Sequence, residues 1–121
     1  MDVCGLKWDP TGDKLASGGS DKIMSLFCLR TRKGIFRTTC QGAIRALEWC
    51  PKNPSFLLLG EGVENSRIRI INTQTLSQSY RVKVDSQVCG LIHSKYSDEM
   101  VSLHNDDSDQ IKVWNSSIHL G

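Results

Sequence analysis

The chain has 121 residues, and its 15 Lys and Arg against 13 Asp and Glu leave a net charge of +2. A charge so close to zero gives no basis to predict a nucleic-acid partner. No apolar run approaches the roughly 18 residues of a membrane-spanning helix, and Met1 is followed almost directly by a strand-like segment instead of a secretory signal. We therefore expect a soluble intracellular protein of the cytoplasm or nucleus, with no membrane partner.

The first predicted element, at residues 3–8 (VCGLKW), recurs at 44–49 (IRALEW) and at 88–93 (VCGLIH). Trp8 and Trp49 are 41 residues apart, and Trp49 and His93 are 44 residues apart. This spacing is typical of WD repeats, which recur every 40 to 45 residues or so and each supply the four strands of a β-propeller blade. The sequence thus predicts an all-β fragment of a WD-repeat propeller, with about three four-stranded blades.

Turn residues and further apolar strands follow each inner strand in the same order. Pro10 and Gly12 provide a tight turn after the first one. The eleven predicted strands lie at residues 3–8, 15–19, 22–28, 35–39, 44–49, 56–60, 67–72, 78–84, 88–93, 100–104 and 110–115. They divide a partial propeller at 1–121 into repeats at about 3–39, 43–84 and 88–115. Because propellers have about four to eight blades, three blades indicate a fragment, or a short product that needs a partner.

A complete WD repeat has a buried hydrogen-bond network of a His, a Ser or Thr, an Asp and a Trp. The positions that match it are Ser17, Asp21, Ser102, Asp109 and Trp114. The positions that depart from it are Cys40 and Asp85 for His, Leu59 for Ser or Thr, Ser66 for Asp, and Leu26 and Ile71 for Trp. A buried polar network is strong only when every member is present, so we expect apolar packing to hold the blades together and stability to be marginal.

The chain shows no pattern for metal, cofactor or catalysis. Its five cysteines include no CxxC pair, which favours free thiols. Cys4 and Cys89 occupy the same position of two repeats, and we interpret them, like the other three cysteines, as small apolar fillers. His93 replaces a strand-end Trp and is predicted to be packed. No catalytic motif is present, so we expect no catalytic residues, no cofactor and no enzyme activity.

Two charged clusters leave alternatives open. The acidic turn at 105–109 suggests calcium, but it lacks the Gly and distal Glu of an EF-hand loop, so a solvated turn is favoured. The basic cluster could contact phosphate or an acidic partner, although a solvated loop is the preferred interpretation. Its members are Arg30, Arg32, Lys33 and Arg37.

Longer segments resemble the fizzy family, whose members activate the anaphase-promoting complex. They are VCGLKWDPTGDKLASGGSD at 3–21, GAIRALEWCP at 42–51, RIRIIN at 67–72 and DSQVC at 85–89. The resemblance covers nearly the whole chain and corresponds to three consecutive blades from the later half of the family's propeller. It implies a non-catalytic adaptor that captures degradation motifs of mitotic or meiotic proteins for this ubiquitin ligase. The implied partners are the anaphase-promoting complex and degron-bearing substrates.

The resemblance also implies a degron-facing surface, on the turns between second and third strands. Its positions are Ser20, Lys22, Val63 and Ser108. None is the Asn, Thr or Gln usual in the family, and each missing polar partner costs about 1 to 3 kcal/mol, so we expect a KEN-type degron to bind weakly. These departures resemble the divergent Cortex-like branch. The alternative is a generic WD-repeat interaction scaffold, or a non-functional fragment, with no role in ubiquitination.

Overall fold

The computed structural model describes residues 3–62, 66–84, 87–97, 99–105 and 111–115. These residues form eleven β-strands in three antiparallel sheets, and no helix lies among them. The predicted all-β fragment of a WD-repeat propeller is thereby confirmed. Within these same ranges there is accordingly no helix with the length and apolar character needed to cross a membrane.

Each sheet is built from strands that follow one another in the chain. The first sheet contains β1 (Val3–Trp8), β2 (Lys14–Gly19), β3 (Ile23–Cys28) and β4 (Lys33–Thr39). The second contains β5 (Ala43–Trp49), β6 (Phe56–Gly62), β7 (Arg67–Asn72) and β8 (Ser77–Lys83). The third contains β9 (Gln87–His93), β10 (Glu99–Asn105) and β11 (Ile111–Asn115). The boundaries drawn from sequence for the repeats and for the partial propeller stay a prediction.

The burial of the strands follows the alternation of their residues. In β7, Ile68 and Ile70 are buried on one face, whereas Arg67 and Arg69 on the other face are partly exposed. Every residue of β6 is buried, because neighbouring sheets cover both faces of the second sheet. A strand covered on both sides has no need for a polar face, which accounts for the apolar run at 56–59.

Two apolar cores separate the three sheets. The first lies between the first and second sheets and includes Met24, Leu26 and Leu59. The second lies between the second and third sheets and includes Ile70, Met100 and further buried side chains. The inner strands β1, β5 and β9 are neighbours in space, so the sheets are stacked side by side around their inner edges.

A glycine on the second strand lets each sheet approach the next. A Cβ atom at Gly18 would lie 2.4 Å from Cγ2 of Ile44, and a Cβ atom at Gly60 would lie 2.6 Å from Cγ1 of Val88. Ile44 and Val88 occupy corresponding places on β5 and β9, so the same contact occurs in both cores. A side chain at either glycine would push the sheets apart.

The outer faces of the first and third sheets carry exposed apolar side chains. On the first sheet, Leu6 and Trp8 are 59% and 51% exposed. On the third, Ile92, Ile111 and Val113 are between 59% and 68% exposed. Isolated exposed apolar residues are common on monomeric proteins, whereas contiguous groups mark surfaces that contact something else.

The strand register corrects one assignment from sequence. Leu15 pairs with Phe27, as Leu57 pairs with Ile71 and Met100 with Trp114. The Trp position of the first repeat is therefore Phe27, and the prediction of Leu26 was wrong. Because side chains alternate along a strand, a shift of one residue moves the side chain to the opposite face, and Leu26 is buried in the first core.

Cys89 does not fit its interpretation as a small apolar filler. Its side chain is exposed, and its Sγ donates to the backbone carbonyl of Leu103 at 3.5 Å. The register between β9 and β10 shifts at this point, where His104 pairs with Val88 and Leu103 with Gly90. A bulge of this kind turns the extra residue away from the core. Cys40 and Cys50 are buried as expected.

Candidate ligand-binding face

One end of the fragment gathers the segments that the sequence associates with ligand binding. The β2–β3 turn lies here, together with Ser66 directly before β7, Cys40 directly after β4 and Val84 directly after β8. Cys40 N donates to the carbonyl of Lys22 at 2.6 Å, and Val84 N donates to the carbonyl of Ser66 at 3.0 Å. In the first two sheets, these bonds join the residue before the third strand to the residue after the fourth strand. We call this end the connection face.

The β2–β3 turn holds Ser20 and Lys22 on the connection face. Lys22 N donates to the carbonyl of Gly19 at 3.2 Å, and Oδ1 of Asp21 accepts from the backbone N–H of Ile23 at 3.2 Å. Lys22 has a φ of +68°, a left-handed conformation that is uncommon for residues other than glycine. Its backbone hydrogen bonds to Gly19 and Cys40 hold it there, and its side chain is exposed.

Val63 and Ser108, the other two predicted degron-facing residues, lie outside the described residues, as does Asp109. The structure therefore places Ser20 and Lys22 at one end of the first sheet and leaves the alignment of all four as a prediction. Ser17 lies within β2, and Asp21 makes its described side-chain bond within its own turn.

A buried carboxylate on the connection face was not anticipated from sequence. Glu61, near the end of β6, is 0% exposed. Its Oε1 accepts from Nη1 of Arg69 at 2.8 Å, and its Oε2 lies 3.6 Å from Nε of Arg67. Nε of Arg69 also donates to Oε1 of Gln78 at 2.7 Å. A buried carboxylate is strongly disfavoured unless it is paired, so the two arginines of β7 are what allow Glu61 to occupy this place.

Cys40 lies against this cluster and is chemically inert there. Burial raises the pKa of its thiol to about 12, and the charge of Glu61 acts in the same direction. The thiol is neutral near pH 7, whereas the thiolate is the form that attacks electrophiles and binds metals. No group of three or more His, Cys, Asp or Glu within the described ranges could hold a metal ion. The charged side chains of this cluster, Glu61, Arg67 and Arg69, can form ion pairs and hydrogen bonds.

A second buried network lies in the third sheet. Nε1 of Trp114 donates to Oγ of Ser102 at 2.8 Å, and the same Oγ lies 2.7 Å from Nε2 of His104. Ser102 and His104 are both buried. Sequence reasoning selected Ser102 and Trp114 but did not include His104, which comes from β10 and not from the segment before the inner strand. Ser102 and His104 are two residues apart on a predicted strand, and such residues lie on the same face. This spacing was the signal available in the sequence.

The tryptophan of the second repeat bonds across sheets. Nε1 of Trp49 donates to the backbone carbonyl of Lys7 at 3.0 Å, and this bond joins the inner strands of the first two sheets. His93, at the corresponding place in the third repeat, is 4% exposed, with Nδ1 2.7 Å from the carbonyl of Ser94. The prediction that His93 is packed is confirmed.

No protein-family model matches the chain. The chain is 39% identical to "Cell division cycle 20.5, cofactor of APC complex" of Arabidopsis thaliana, with 93% of the chain and 27% of the relative covered. It is 38% identical to "Anaphase-promoting complex subunit cdc20" of Dictyostelium discoideum, with 94% and 24% covered. It is 36% identical to "Protein FIZZY-RELATED 1" of Arabidopsis thaliana, with 93% and 24% covered.

The fold agrees with these sequence matches. A chain in a crystal structure of the mitotic checkpoint complex superimposes with a TM-score of 0.91 at 33% identity, covering 97% of this chain and 36% of that one. The chain spans about a quarter of the length of the curated relatives it matches. Attribution to the Cortex-like branch stays a prediction. Over almost its whole length the chain is a homologue of the Cdc20 and Fizzy-related proteins, and the fizzy-family resemblance in its sequence is confirmed.

Proposed function

We propose that the intact protein containing this chain is a non-catalytic adaptor that activates the anaphase-promoting complex by recruiting substrates to it. The observation that carries this proposal is the match of 93% of the chain to relatives named as cofactors of that complex. The blades supply a rigid surface, and the ligase performs the chemistry. The role belongs to mitotic or meiotic protein degradation in the cytoplasm or nucleus, and it requires no cofactor.

The connection face is the proposed substrate-binding surface. Ser20 and Lys22 are held there by the backbone bonds of the β2–β3 turn, and family resemblance adds Val63 and Ser108. A KEN peptide is expected to bind weakly, because its Lys meets the like charge of Lys22 and Val63 offers no side-chain hydrogen bond. Substrate recognition by this protein therefore uses a different motif, or a different part of the propeller.

The experiment that tests this function is co-purification of the intact tagged protein with the anaphase-promoting complex from dividing cells. Subunits of the complex are expected in the purified material, and adding the protein to the purified ligase should increase ubiquitination of a cell-cycle substrate. Failure of both measurements would leave the alternative of a generic WD-repeat scaffold, or of a fragment without function in ubiquitination. The exposed Lys22 in the degron-facing turn is the observation that favours that alternative.

A further inference from the structure

The connection face has an excess of positive charge where the first two sheets meet. Arg67 and Arg69 contribute two charges and Glu61 removes one. Lys22 belongs to the same region, because its carbonyl accepts from Cys40 and Cys40 lies against Glu61 and Arg69. Its neighbour Asp21 caps the turn backbone. Lys83 lies opposite Arg67 on β8 and is exposed. These six side chains carry four positive and two negative charges.

Arg67 and Arg69 differ in the number of side-chain contacts that their guanidinium groups make. Arg69 donates to Glu61 at 2.8 Å and to Gln78 at 2.7 Å, so its guanidinium is held on two sides. Arg67 contacts Glu61 only through the long 3.6 Å approach of its Nε. Among the described residues, neither that Nε nor Oε2 of Glu61 has a hydrogen-bond partner. Arg67 is also the first residue of β7, directly after the β6–β7 connection.

We propose that Arg67, supported by Lys22, recognises an acidic side chain of a peptide bound on the connection face. This inference rests on the proposed function, because it names the ligand class of the same surface. An Arg guanidinium binds a carboxylate through two parallel hydrogen bonds, and such charge-assisted bonds are about twice as strong as neutral ones. The buried carboxylate of Glu61 lies 3.6 Å from the buried Nε of Arg67. A ligand lysine at this place meets two cations instead.

The test compares two peptides that differ at one residue, a KEN peptide and the same peptide with Glu in place of its Lys. Residues 63–65 and 106–110 include further acidic residues by sequence, so a single-residue exchange isolates the effect of local charge. Fluorescence anisotropy with the intact protein should show at least about tenfold tighter binding of the Glu peptide, the worth of one charge-assisted contact. The preference should weaken as salt is added.

Variants of the protein test which residues cause the preference for the Glu peptide over the KEN peptide. Arg67→Gln is expected to remove most of the discrimination between the two peptides, and Lys22→Gln to reduce it. Lys33→Gln is the matched control, because it removes one exposed charge at the opposite end of the first sheet and should leave discrimination unchanged. If Arg67→Gln does not fold, as thermal unfolding would reveal, the exposed Lys22 variant and the Arg67→Lys variant carry the test. Arg67→Lys keeps the charge without the two-pronged geometry and should give intermediate discrimination.

Equal binding of the two peptides, tighter binding of the KEN peptide, or no binding of either would overturn the proposal. An equal effect of Lys33→Gln and Arg67→Gln would also overturn it, because the cause would then be net charge. These outcomes are separable from failure of the proposed function. A protein that co-purifies with the anaphase-promoting complex but ignores the Glu peptide retains its function without this site. One that binds the Glu peptide through Arg67 without contacting the complex retains the site without that function.

Discussion

Glu61 shows how one side chain can change a repeat that lacks its usual polar network. It is fully buried near the end of β6, and two arginines from the neighbouring strand face it. The second repeat has Cys40, Leu59 and Ile71 at the network positions, none of which can form the usual His, Ser and Trp bonds. The ion pairs of Glu61 introduce a different polar link, which joins β6 to β7 within the second sheet.

Substitution of Glu61 by Gln should lower stability, because two largely buried arginines lose their counter-charge. Removing one partner of a buried ion pair costs about 3 to 5 kcal/mol, and the partial exposure of the arginines places the expected loss near the lower end. The measurement is denaturant unfolding of the intact protein. Asp13→Asn is the control, since the Arg30–Asp13 pair is exposed on both sides and should change stability by less than about 1 kcal/mol. Equal effects would show that Glu61 is not a structural ion pair.

Ser102 is the centre of the other buried network. Replacing it by Ala leaves the indole N–H of Trp114 and the ring of His104 without this bond, at a cost of about 1 to 3 kcal/mol. Ser17→Ala is the matched control, because Ser17 occupies the same place in the first sheet, where Phe27 has no indole N–H. The two variants are compared by thermal unfolding. A similar loss from both would contradict the role assigned to the Trp114 bond.

Thiol reactivity should separate the cysteines. Bonds from the backbone N–H and hydroxyl of Thr31 lower the pKa of Cys28 below its ordinary 9.0, and the charge of Arg30 assists. Cys40 has its pKa raised to about 12 by burial. Because alkylation proceeds through the thiolate, iodoacetamide at pH 7 to 8 should modify Cys28 first and leave Cys40 unmodified until the protein unfolds. Mass spectrometry of timed digests measures the order, and early labelling of Cys40 in folded protein would contradict it.

At the scale of strands and sheets, the sequence was sufficient to predict those features that leave a periodic pattern in it. The 41- and 44-residue spacing and the alternation of Ile68 and Ile70 with Arg67 and Arg69 predicted the sheets, because a half-buried strand repeats every two residues. Sequence could not supply register. The shift between Leu26 and Phe27 and the bulge at Cys89 depend on which residues pair across strands. For the same reason Glu61 could not be linked with Arg69, because their contact requires the pairing of β6 with β7.

The packing of one sheet on the next should be sensitive to Gly60. A Cβ atom there would lie 2.6 Å from Cγ1 and 3.0 Å from Cβ of Val88, and Val88 is fully buried and branched at that carbon. Gly60→Ala should therefore destabilise the protein by about 1 to 3 kcal/mol through overpacking. Gly34→Ala is the control, since no atom lies within 4 Å of a Cβ atom built there. Thermal unfolding of both variants gives the answer, and a neutral Gly60→Ala would mean that the sheets can separate at little cost.

At the scale of the whole molecule, the fragment has two lateral faces that match its two internal cores. The outer face of the first sheet carries Leu6, Trp8 and Phe27, on the side opposite Ala16 and Met24. The outer face of the third sheet carries Ile92, Leu103 and neighbouring apolar side chains. In a repeat array each unit buries its faces against its neighbours. Both faces of the second sheet are covered by the apolar side of a neighbouring sheet. The outer faces of the first and third sheets are suited to the same kind of contact.

The 121-residue chain expressed alone is therefore expected to self-associate or aggregate. Its outer faces keep Ile111 and Val113 exposed at 68% and 62%, and exposed apolar surface drives association at roughly 25 cal/mol for each Å² that is covered. Light scattering across a concentration series should show mass above 13.5 kDa. Replacing Ile111 and Val113 by Thr should shift the distribution towards monomer, because both side chains point outward and Thr preserves the strand.

Leu29→Ser is the control, since Leu29 is 48% exposed in the β3–β4 turn, away from either face, and should leave association unchanged. A monodisperse monomer at high concentration would contradict the expectation and would mean that these faces are stable in water without a neighbouring blade.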